Sequence, residues 1–330
     1  MSVARFKVLF AGPLVSFQDG GRFGHMRFGV PASGPMDRFG FAAVHAMLNQ
    51  PEAAAIEISL GGLVLECVDG SVTCAVAGGA FSLTTQASGW QVATVHAGDK
   101  LTLRAGDWGS WAYLAFSGEI SCDQWLGCSA THALSGLGGG SLRTGDVFEV
   151  RDCAPRPTRE GAYDAPDIAR PVADIRVIIG PQDQHFAPDA QDILTAAPYT
   201  LTDAFDRMGV RLDGTVLPLG DALSIPSEPI LRGSIQVAGD GVPVVLLADH
   251  QTTGGYPKIA TVLSTDTDRL AQLRAGDSLR FHAISAADAV LAVRHDHAAR
   301  IEALSDLAAP RASLSQKLMQ TNLISGVTGD

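Results

Sequence analysis

Lysine is scarce in this chain of 330 residues, which contains only Lys7, Lys100, Lys258 and Lys317. The formal net charge is -11 at pH 7, and the arginines are interspersed with acidic residues rather than clustered. A basic patch is the usual footprint of a nucleic-acid-binding surface, so its absence argues against a nucleic-acid partner. Scarcity also makes Lys258 notable, because it lies in a glycine-rich segment.

Cysteine patterns that would indicate a disulfide framework or a zinc site are also missing. The five cysteines are an odd number, and no two of them have CxxC spacing. This usage is typical of a reducing compartment. The amino-terminal segment lacks a signal-peptide core, and no apolar run approaches the ~20 residues that a membrane helix needs. We therefore expect a cytoplasmic protein with no membrane partner.

Several motifs that carry chemistry on one chain are absent. No Gly-Lys pair exists to form a P-loop, and neither GxSxG nor HExxH occurs. No Met-Lys-Met run is present as a biotin attachment site. His295 and His297 flank an aspartate but lie two residues apart in a predicted helix, where they do not share a face. We predict no metal site, and a nucleotide or biotin would need another chain for most of its binding site.

Glycine is abundant, with 36 residues, whereas aromatic residues make up only 6% of the chain. Short apolar segments, including 216–218, alternate with Gly-Asp turn signals, and this pattern predicts a mainly β protein with a few short helices. A polar, proline-rich stretch divides the strands into two sets. The predicted parts are an amino-terminal β domain at 1–155, a linker at 156–172, a carboxyl-terminal β domain at 173–285, and a helical or loose tail at 286–330.

Residues 36–48 carry the clearest helix signal. Ser33 is a candidate cap, Pro35 lies near the first turn, and apolar residues recur at intervals of four. Asp37 then has an ordinary explanation, since an acidic residue in the first turn interacts favourably with the helix dipole. The same helix terminus also favours anions, so a site at this position is an alternative interpretation.

The densest group of directional polar side chains is the run QTTGGYPK, which follows the apolar segment 242–248. Paired glycines let a backbone come close to a ligand, and loops held by rigid strands often carry function. A hydrogen-bonded β-turn that only satisfies its own backbone is the alternative. The candidate binding residues are Gln251, Thr252, Thr253, Gly254, Gly255, Tyr256 and Lys258.

Two further motifs place charged groups beside predicted turns. In QDGGR, Gln18 and Asp19 precede two glycines, and Arg22 is suited to clamp a carboxylate or phosphate, or alternatively to form a surface pair with Asp19. In DRMGVRL, Arg207 and Arg211 are four residues apart. They would share one face of a helix and grip an anion, whereas in a turn they would be structural. Gln236 lies one predicted strand before the QTTGGYPK segment.

These motifs occur together in the order of one family. The runs QDGGR, GVPASGPMD, GPQ, DRMGVRL, SIQV and DHQTTGGYPKIATV resemble those of the family formed by the C-type subunits of bacterial 5-oxoprolinase. The family is also called allophanate hydrolase subunit 2, KipA-like or biotin-dependent carboxyltransferase. The resemblance extends from about Phe6 to Phe281 and implies two cyclophilin-like β-barrel domains.

The resemblance also implies partners and a reaction. A KipI-like B-type subunit with a lactam-utilisation A-type subunit would act with this chain to hydrolyse 5-oxo-L-proline to L-glutamate, driven by ATP. Such an enzyme is a hydrolase acting on a cyclic amide C–N bond. One alternative is a biotin-dependent carboxyltransferase of the urea amidolyase or allophanate hydrolase type. The other is a KipA-like regulatory binding protein without turnover.

Under the first hypothesis the candidate residues divide into two groups. Lys258, Asp37 and Gln251 are assigned to catalysis, with Asp37 or Asp19 as a candidate base. The remaining candidates are assigned to binding of substrate or nucleotide: Gln18, Asp19, Arg22, Arg207, Arg211, Gln236, Thr252, Thr253, Gly254, Gly255 and Tyr256.

Overall fold

The fold is mainly β, as predicted, in a computed structural model that describes residues 2–83, 89–220 and 224–310. Twelve of the described strands precede residue 164. They are β1 (Val3–Ala11), β2 (Ser16–Gln18), β3 (Ala55–Ser59), β4 (Leu63–Asp69), β5 (Ser71–Gly78), β6 (Phe81–Leu83), β7 (Trp90–His96), β8 (Lys100–Ala105), β9 (Trp111–Phe116), β10 (Glu119–Ser121), β11 (Val147–Arg151) and β12 (Gly161–Tyr163).

Nine strands follow, together with four α-helices along the whole described chain. The strands are β13 (Asp174–Ile179), β14 (Tyr199–Phe205), β15 (Gly209–Asp213), β16 (Glu228–Pro229), β17 (Ser234–Val237), β18 (Pro243–Leu246), β19 (Thr253–Gly254), β20 (Lys258–Val262) and β21 (Ser278–Ala283). The helices are α1 (Arg38–Leu48), α2 (Ala190–Ala196), α3 (Ser264–Ala271) and α4 (Ala286–Ala308).

The amino-terminal strands form two six-stranded sheets that face each other. Their orders are β10-β11-β1-β4-β8-β6 and β12-β7-β5-β9-β3-β2. Side chains that alternate inward from both sheets fill one apolar core, in which Phe6 packs against Phe116 and Phe148. The second sheet is also buried on its outer face, where α1 and α4 cover Trp90 and Tyr113. This double burial explains why β9 reads as a continuous apolar run instead of an alternating one.

Helix α1 begins two residues later than predicted, and its cap is Asp37 rather than Ser33. The Asp37 side chain accepts a hydrogen bond from the backbone N–H of Gly40, and its extended backbone is that of an N-cap residue. Ser33 lies before the helix, with a left-handed φ of 53°. The prediction of Ser33 as the cap was therefore wrong. Ser33 and Asp37 are both good capping residues and lie four positions apart, so the local sequence does not distinguish them.

Seven strands of the carboxyl-terminal half close into a barrel with the order β13-β20-β17-β18-β15-β14-β21. Its interior is apolar and includes Val177, Leu201, Val210, Ile235 and Phe281. The predicted strand at 216–218 is not a strand in the structure. The DRMGVRL motif is a turn leading into β15 rather than a helix, since Asp206 accepts hydrogen bonds from the backbone of Met208 and Gly209.

The predicted linker at 156–172 takes part in the fold. Its residues 161–163 are β12, which pairs with β7. Arg159 is buried and donates five hydrogen bonds to backbone carbonyl oxygens near the carboxyl ends of α1 and α4. The carboxyl ends of helices attract cations, so the Arg159 guanidinium stabilises the contact between α1 and α4. The tail helix predicted from residue 286 is observed as α4, and residues 311–330 lie outside the described part of the chain.

The two halves are joined by a buried ion-pair cluster centred on Arg207. Its guanidinium binds Glu57, which lies on β3, and Asp249, which follows β18, and it also donates to the carbonyl oxygen of Gly34. All three charged side chains are at most 1% exposed. Glu57 accepts further hydrogen bonds from the Tyr113 hydroxyl at 2.7 Å and the Met36 backbone at 2.8 Å. The contact between the halves is therefore specified by charge and hydrogen bonding.

We expect Arg207→Met to lower the free energy of unfolding by about 3–5 kcal/mol, because it leaves two carboxylates buried without a counterion. The matched control is Arg211→Met, four residues along the chain, which removes a pair with Asp240 that is about half-exposed and contributes about 0–1 kcal/mol. Urea denaturation followed by circular dichroism measures both. Equal effects of the two variants would contradict a special role for the Arg207 cluster.

Candidate functional site

The strongest candidate site is a groove on the outer face of the barrel. Val210, Ile235 and Val245 point into the barrel core, so their neighbours on β15, β17 and β18 point outward. The outward side chains border a cavity of about 330 Å³. Its lining consists of Ala204, Asp206, Met208, Gly209, Arg211, Gln236, Val244, Leu246 and Gln251. The structure thus brings together Arg211, Gln236 and Gln251, three of the residues predicted from separate motifs.

Gln236 and Gln251 form an amide pair at the wall of this groove. Gln251 Nε2 donates to Gln236 Oε1 at 3.1 Å, and Gln236 Nε2 donates to the backbone carbonyl of Tyr256 at 3.5 Å. A Cβ at Gly254 would lie 3.0 Å from Gln236 Nε2 and 2.5 Å from Ile230 Cδ1. A side chain at 254 would therefore require the Ile230 side chain to move and would crowd the Gln236 amide. Amide groups that both donate and accept are suited to a planar amide or urea-like ligand.

The QTTGGYPK segment is a short β ribbon rather than a free loop. Thr253–Gly254, as β19, pairs with Glu228–Pro229 of β16. The backbone N–H groups of Ile225 and Ile230 donate to the carbonyls of Gly255 and Thr252. This pairing fixes the backbone and leaves the Tyr256 side chain partly exposed at the rim. The ribbon accounts for the backbone conformation at Thr252 and Thr253. That their side chains contact a ligand remains a prediction.

Lys258 lies at the start of β20, directly across from Gln236 on β17. The residue is 3% exposed, and its ammonium group has no hydrogen-bond partner among the described residues. Burial lowers the pKa of Lys258, and the carboxylate of Glu228 opposes that shift. Gln182 stands between the two, because it accepts from the Lys258 backbone N–H and donates to Glu228. A buried ammonium without a partner is costly, so this position is suited to an anionic or strongly polarised ligand group.

The QDGGR residues are bound to other parts of the protein. Asp19 accepts from the backbone of Gly21, Ser129 and Ala130. Arg22 is fully buried, and it donates to the carbonyl oxygens of Trp125 and Ala130. These residues shape two neighbouring loops, so neither the predicted anion clamp nor a base at Asp19 agrees with this geometry.

Gln18 lies on β2 in the same region and is fully buried. Its amide donates to Ser16 Oγ at 2.9 Å and to the carbonyl oxygen of Thr131 at 3.0 Å. It therefore supports the loop residues behind QDGGR, and it does not line the groove.

Asp37 is buried between the two halves, away from the groove. Besides capping α1 it accepts from Gln272 Nε2 at 2.7 Å. Burial, with a smaller contribution from Asp268, raises the pKa of Asp37 from 3.8 to about 6. Its contacts place it in the contact between the halves, and its assignment as a catalytic base does not agree with this position.

The two arginines of DRMGVRL have different surroundings, which the motif alone does not distinguish. Arg207 is bound to two carboxylates that come from residues 150 and 42 positions away along the chain. It is therefore not free to grip a ligand. Arg211 borders the groove and pairs with Asp240 at its edge.

Sequence reasoning left several site residues unassigned. The GPQ run predicts only that Gln182 ends a strand and lines the same cleft, and nothing in the sequence near Glu228 marks that residue as a neighbour of Lys258. Glu57 and Asp249 are likewise recognised only from the three-dimensional contact. Across the described ranges, no group of three or more His, Cys, Asp or Glu side chains converges as a metal-binding set would. Among those same residues, no helix is both long and apolar enough to cross a membrane.

The barrel, the paired sheets and the polar groove define a carboxyltransferase-type fold. The sequence matches the family described as "Carboxyltransferase domain, subdomain A and B" over residues 28–283, and the chain belongs to this family. It is 32% identical to the C-type subunit of Escherichia coli 5-oxoprolinase over 91% of this chain and 97% of the relative. The corresponding 5-oxoprolinase subunit from Haemophilus influenzae is 34% identical over 83% of this chain and 89% of that protein.

Solved structures with the same fold are longer chains. The Kluyveromyces lactis urea amidolyase superposes with a TM-score of 0.80 at 26% identity, over 96% of this chain but only 21% of its own. A crystal structure titled TTHA0988 superposes with a TM-score of 0.74 at 31% identity, over 84% of this chain and 55% of that one. This chain thus spans about half or less of the solved relatives it matches.

We expect Asp37→Asn to remove a pH dependence of stability while keeping the helix cap. Since the folded state holds the Asp37 proton up to about pH 6, the stability that this proton provides is present below pH ~4 and is lost as the pH rises towards 6. The variant should therefore gain up to about 3 kcal/mol over the natural protein between pH 4 and 7. Urea denaturation at intervals of pH measures the difference.

Asp240→Asn is the control for this titration. Arg211 lowers the pKa of Asp240, so its stabilising contribution is lost in the opposite direction, as the pH falls towards 4 and below. A constant difference between Asp37→Asn and the natural protein from pH 4 to 7 would contradict the burial of an ionisable Asp37.

Proposed function

We propose that this chain is a subunit of an ATP-dependent 5-oxoprolinase, which hydrolyses 5-oxo-L-proline to L-glutamate together with partner subunits. The observation that carries the proposal is the Gln236–Gln251 amide pair in the groove that Arg211 borders, together with the buried Lys258, which pairs with Gln236 across neighbouring strands. The two 5-oxoprolinase relatives, which this chain matches over most of their length, support the same reaction.

The chemistry requires a weakened lactam bond and a stabilised oxyanion. Phosphoryl transfer from ATP to the lactam oxygen releases ADP and makes the ring carbon more electrophilic, which weakens the amide bond. One water adds to the ring carbon and the C–N bond breaks, which gives the free amine and an acyl phosphate. A second water hydrolyses the acyl phosphate, so that glutamate and phosphate are released. Fixed hydrogen-bond donors and cations aimed at the developing negative charge lower the barrier to such steps.

The candidate residues in and around the groove have proposed roles in this reaction. Gln251 and Gln236 orient the planar amide through one donated and one accepted hydrogen bond. Lys258 and Arg211 provide positive charge for the substrate carboxylate or the phosphorylated oxygen. The backbone of Gly254 and Gly255 approaches the ligand closely, while Tyr256, Thr252 and Thr253 border it. Asp37 and Arg207 act indirectly, since they hold the two halves together.

The ATP site is proposed to lie largely on partner subunits. The sequence has no Gly-Lys dipeptide and therefore no P-loop. A KipI-like B-type subunit with a lactam-utilisation A-type subunit would complete the enzyme. Because the reaction consumes ATP, the cytoplasm is the proposed location.

A second candidate function is biotin-dependent carboxyl transfer to a urea-like amide. Membership of the carboxyltransferase family and the 0.80 TM-score with the Kluyveromyces lactis urea carboxylase favour it. The same amide pair would then bind urea through hydrogen bonds, and a carrier protein would deliver biotin. Avidin, which sequesters biotin, would abolish this activity and leave 5-oxoproline hydrolysis unchanged.

We expect a mixture of this chain with its proposed A-type and B-type partners to form glutamate and ADP in equal amounts from 5-oxoproline and ATP. Lys258→Met should lower kcat/KM by about 100-fold, because it removes a cation from a water-poor site. Lys7→Met, which replaces an exposed lysine on β1, is the control and should have no effect. Coupled assays of glutamate and ADP measure both products.

Two results would contradict the proposal. Glutamate production that continues when this chain is omitted would show that the enzyme does not require it. An intact complex that turns over neither 5-oxoproline nor ATP would remove the proposed reaction and leave the carboxyl-transfer alternative for test.

A further inference from the structure

A second cavity lies between helix α4 and the outer face of the barrel. Its volume is about 560 Å³, and it shares no lining residue with the candidate groove. Its walls come from Ile178, residues 231–232 and 261–264, and one face of α4. We call this space the α4 cavity. Helix α4 begins at residue 286, whereas the family match ends at residue 283, so one wall is built from a segment outside that match.

The barrel side of the α4 cavity is mostly apolar. Val177 points into the barrel core, so Ile178, the next residue on β13, points outward. Thr261 on β20 is the cross-strand partner of Ile178 and therefore lies on the same face. Leu231, which also lines the cavity, is 63% exposed. This side of the cavity therefore offers hydrocarbon surface to a ligand.

The helix side of the α4 cavity is apolar as well. Four residues recur at helical spacing and line the cavity together, namely Ala286, Ala289, Val290 and Val293. Val290 is nevertheless 50% exposed. Large hydrophobic side chains that stay exposed on a concave surface often mark a binding site. The volume of the cavity also lies in the range of small-molecule sites, which is ~300–1,000 Å³.

The carboxyl-terminal half of α4 holds the helix in place over the barrel. Asp296 accepts hydrogen bonds from Arg176 at 2.6 Å and from the Thr265 hydroxyl at 2.9 Å. Arg300 donates to Asp268 at 2.6 Å and to the carbonyl oxygen of Thr265 at 2.9 Å. A ligand of the α4 cavity would therefore meet preformed walls, which reduces the entropy lost on binding.

The charged residues that line the α4 cavity are both arginines, Arg232 and Arg294. Arg232 shares the Asp268 carboxylate with Arg38 and Arg300, so three cations surround one anion. Its Nε is buried without a hydrogen-bond partner in the described chain. Burial, with a smaller contribution from Arg38, lowers the pKa of Arg232 to about 10. Arg294 is exposed and forms no ion pair within the described ranges. The cavity thus combines apolar walls with an excess of positive charge.

The carboxylates near the α4 cavity bind other groups. Asp266 and Asp296 both pair with Arg176. Asp288, in the first turn of α4, accepts from the Ser285 hydroxyl at 2.7 Å. None of these three carboxylates lines the cavity, so they do not take the place of an anionic ligand there.

We propose that the α4 cavity binds an alkyl carboxylate with one hydrocarbon chain, such as a medium-chain fatty acid. The chain lies between α4 and the barrel, and the carboxylate pairs with Arg232 and Arg294, because a guanidinium matches a carboxylate in charge and geometry. Residues 311–330 of the chain are a poorer occupant, since their charged side chains, Arg311, Lys317 and Asp330, sum to +1 and would meet two arginines. This binding is independent of the proposed reaction.

Isothermal titration calorimetry of the natural chain tests the ligand class with four probes: decanoate, octanoate, 1-octanol and octyltrimethylammonium. We expect one decanoate to bind per chain. Octanoate should bind about fourfold more weakly for each methylene that no longer enters the cavity. The alcohol and the cation, which have the same chain length as octanoate, should bind at least ~10-fold more weakly than octanoate because they do not pair with a guanidinium.

Two matched substitutions on α4 test the location. Val290→Glu places a negative charge in the cavity, whereas Leu291→Glu places the same charge on the next residue, which is 63% exposed and does not line the cavity. We expect Val290→Glu to weaken decanoate binding at least ~10-fold, since like charges repel, and Leu291→Glu to leave it unchanged. Arg294→Gln should weaken octanoate but not 1-octanol. Thermal unfolding confirms that each variant folds.

Several outcomes would overturn the proposal. No binding of decanoate to the natural chain would remove the ligand class, and 1-octanol binding as tightly as octanoate would remove the role of the arginines. Equal losses in Val290→Glu and Leu291→Glu would place the ligand elsewhere. Decanoate binding that appears only after Leu318→Ser would make residues 311–330 the occupant. A dimer in sedimentation that Val290→Glu dissociates would make a second copy the occupant.

Discussion

One buried cation, the guanidinium of Arg207, joins the two halves of the protein beside the candidate site. It comes from the barrel, binds Glu57 on a sheet of the other half and holds Asp249 just before the QTTGGYPK segment. Removing three charged groups from water is costly, and only the near-complete set of hydrogen bonds makes the cluster tolerable. Such an arrangement accepts one relative position of the halves, because small displacements would leave a buried charge unpaired.

That constraint also connects the turn that carries Leu134 and Leu137 to the segment before the amide pair. Asp249 receives Arg207 from one side and the backbone of Ala133 from the other, so the leucine turn and the amide pair share a support. Neither feature contains the catalytic machinery of a complete enzyme. The groove offers orientation and charge, and the proposed function needs partner subunits for the rest of the reaction.

Short-range pattern predicted the mainly β architecture, because alternation and glycine spacing are local properties. It failed where a residue's role is set by a distant partner. The sequence does not distinguish a ligand-binding role of Arg22 and Arg207 from a structural one, since a guanidinium in a polar motif looks the same whether it meets a ligand, a carboxylate or a carbonyl group. The carboxylate that Arg207 binds on β3 is 150 positions away. Lys258 was noticed for its rarity, but its burial beside Gln182 and Glu228 required the folded chain.

The central claim is that the Arg207 cluster positions the groove segment, and hydrogen exchange in Arg207→Met tests it directly. The amides of residues 249–256 and 131–134 should exchange faster together, by a factor larger than that of the remote barrel strands β14 and β21. Those strands serve as the internal reference for any global loss of stability. Acceleration that is uniform across the barrel, or an unchanged rate in both segments, would contradict the claim.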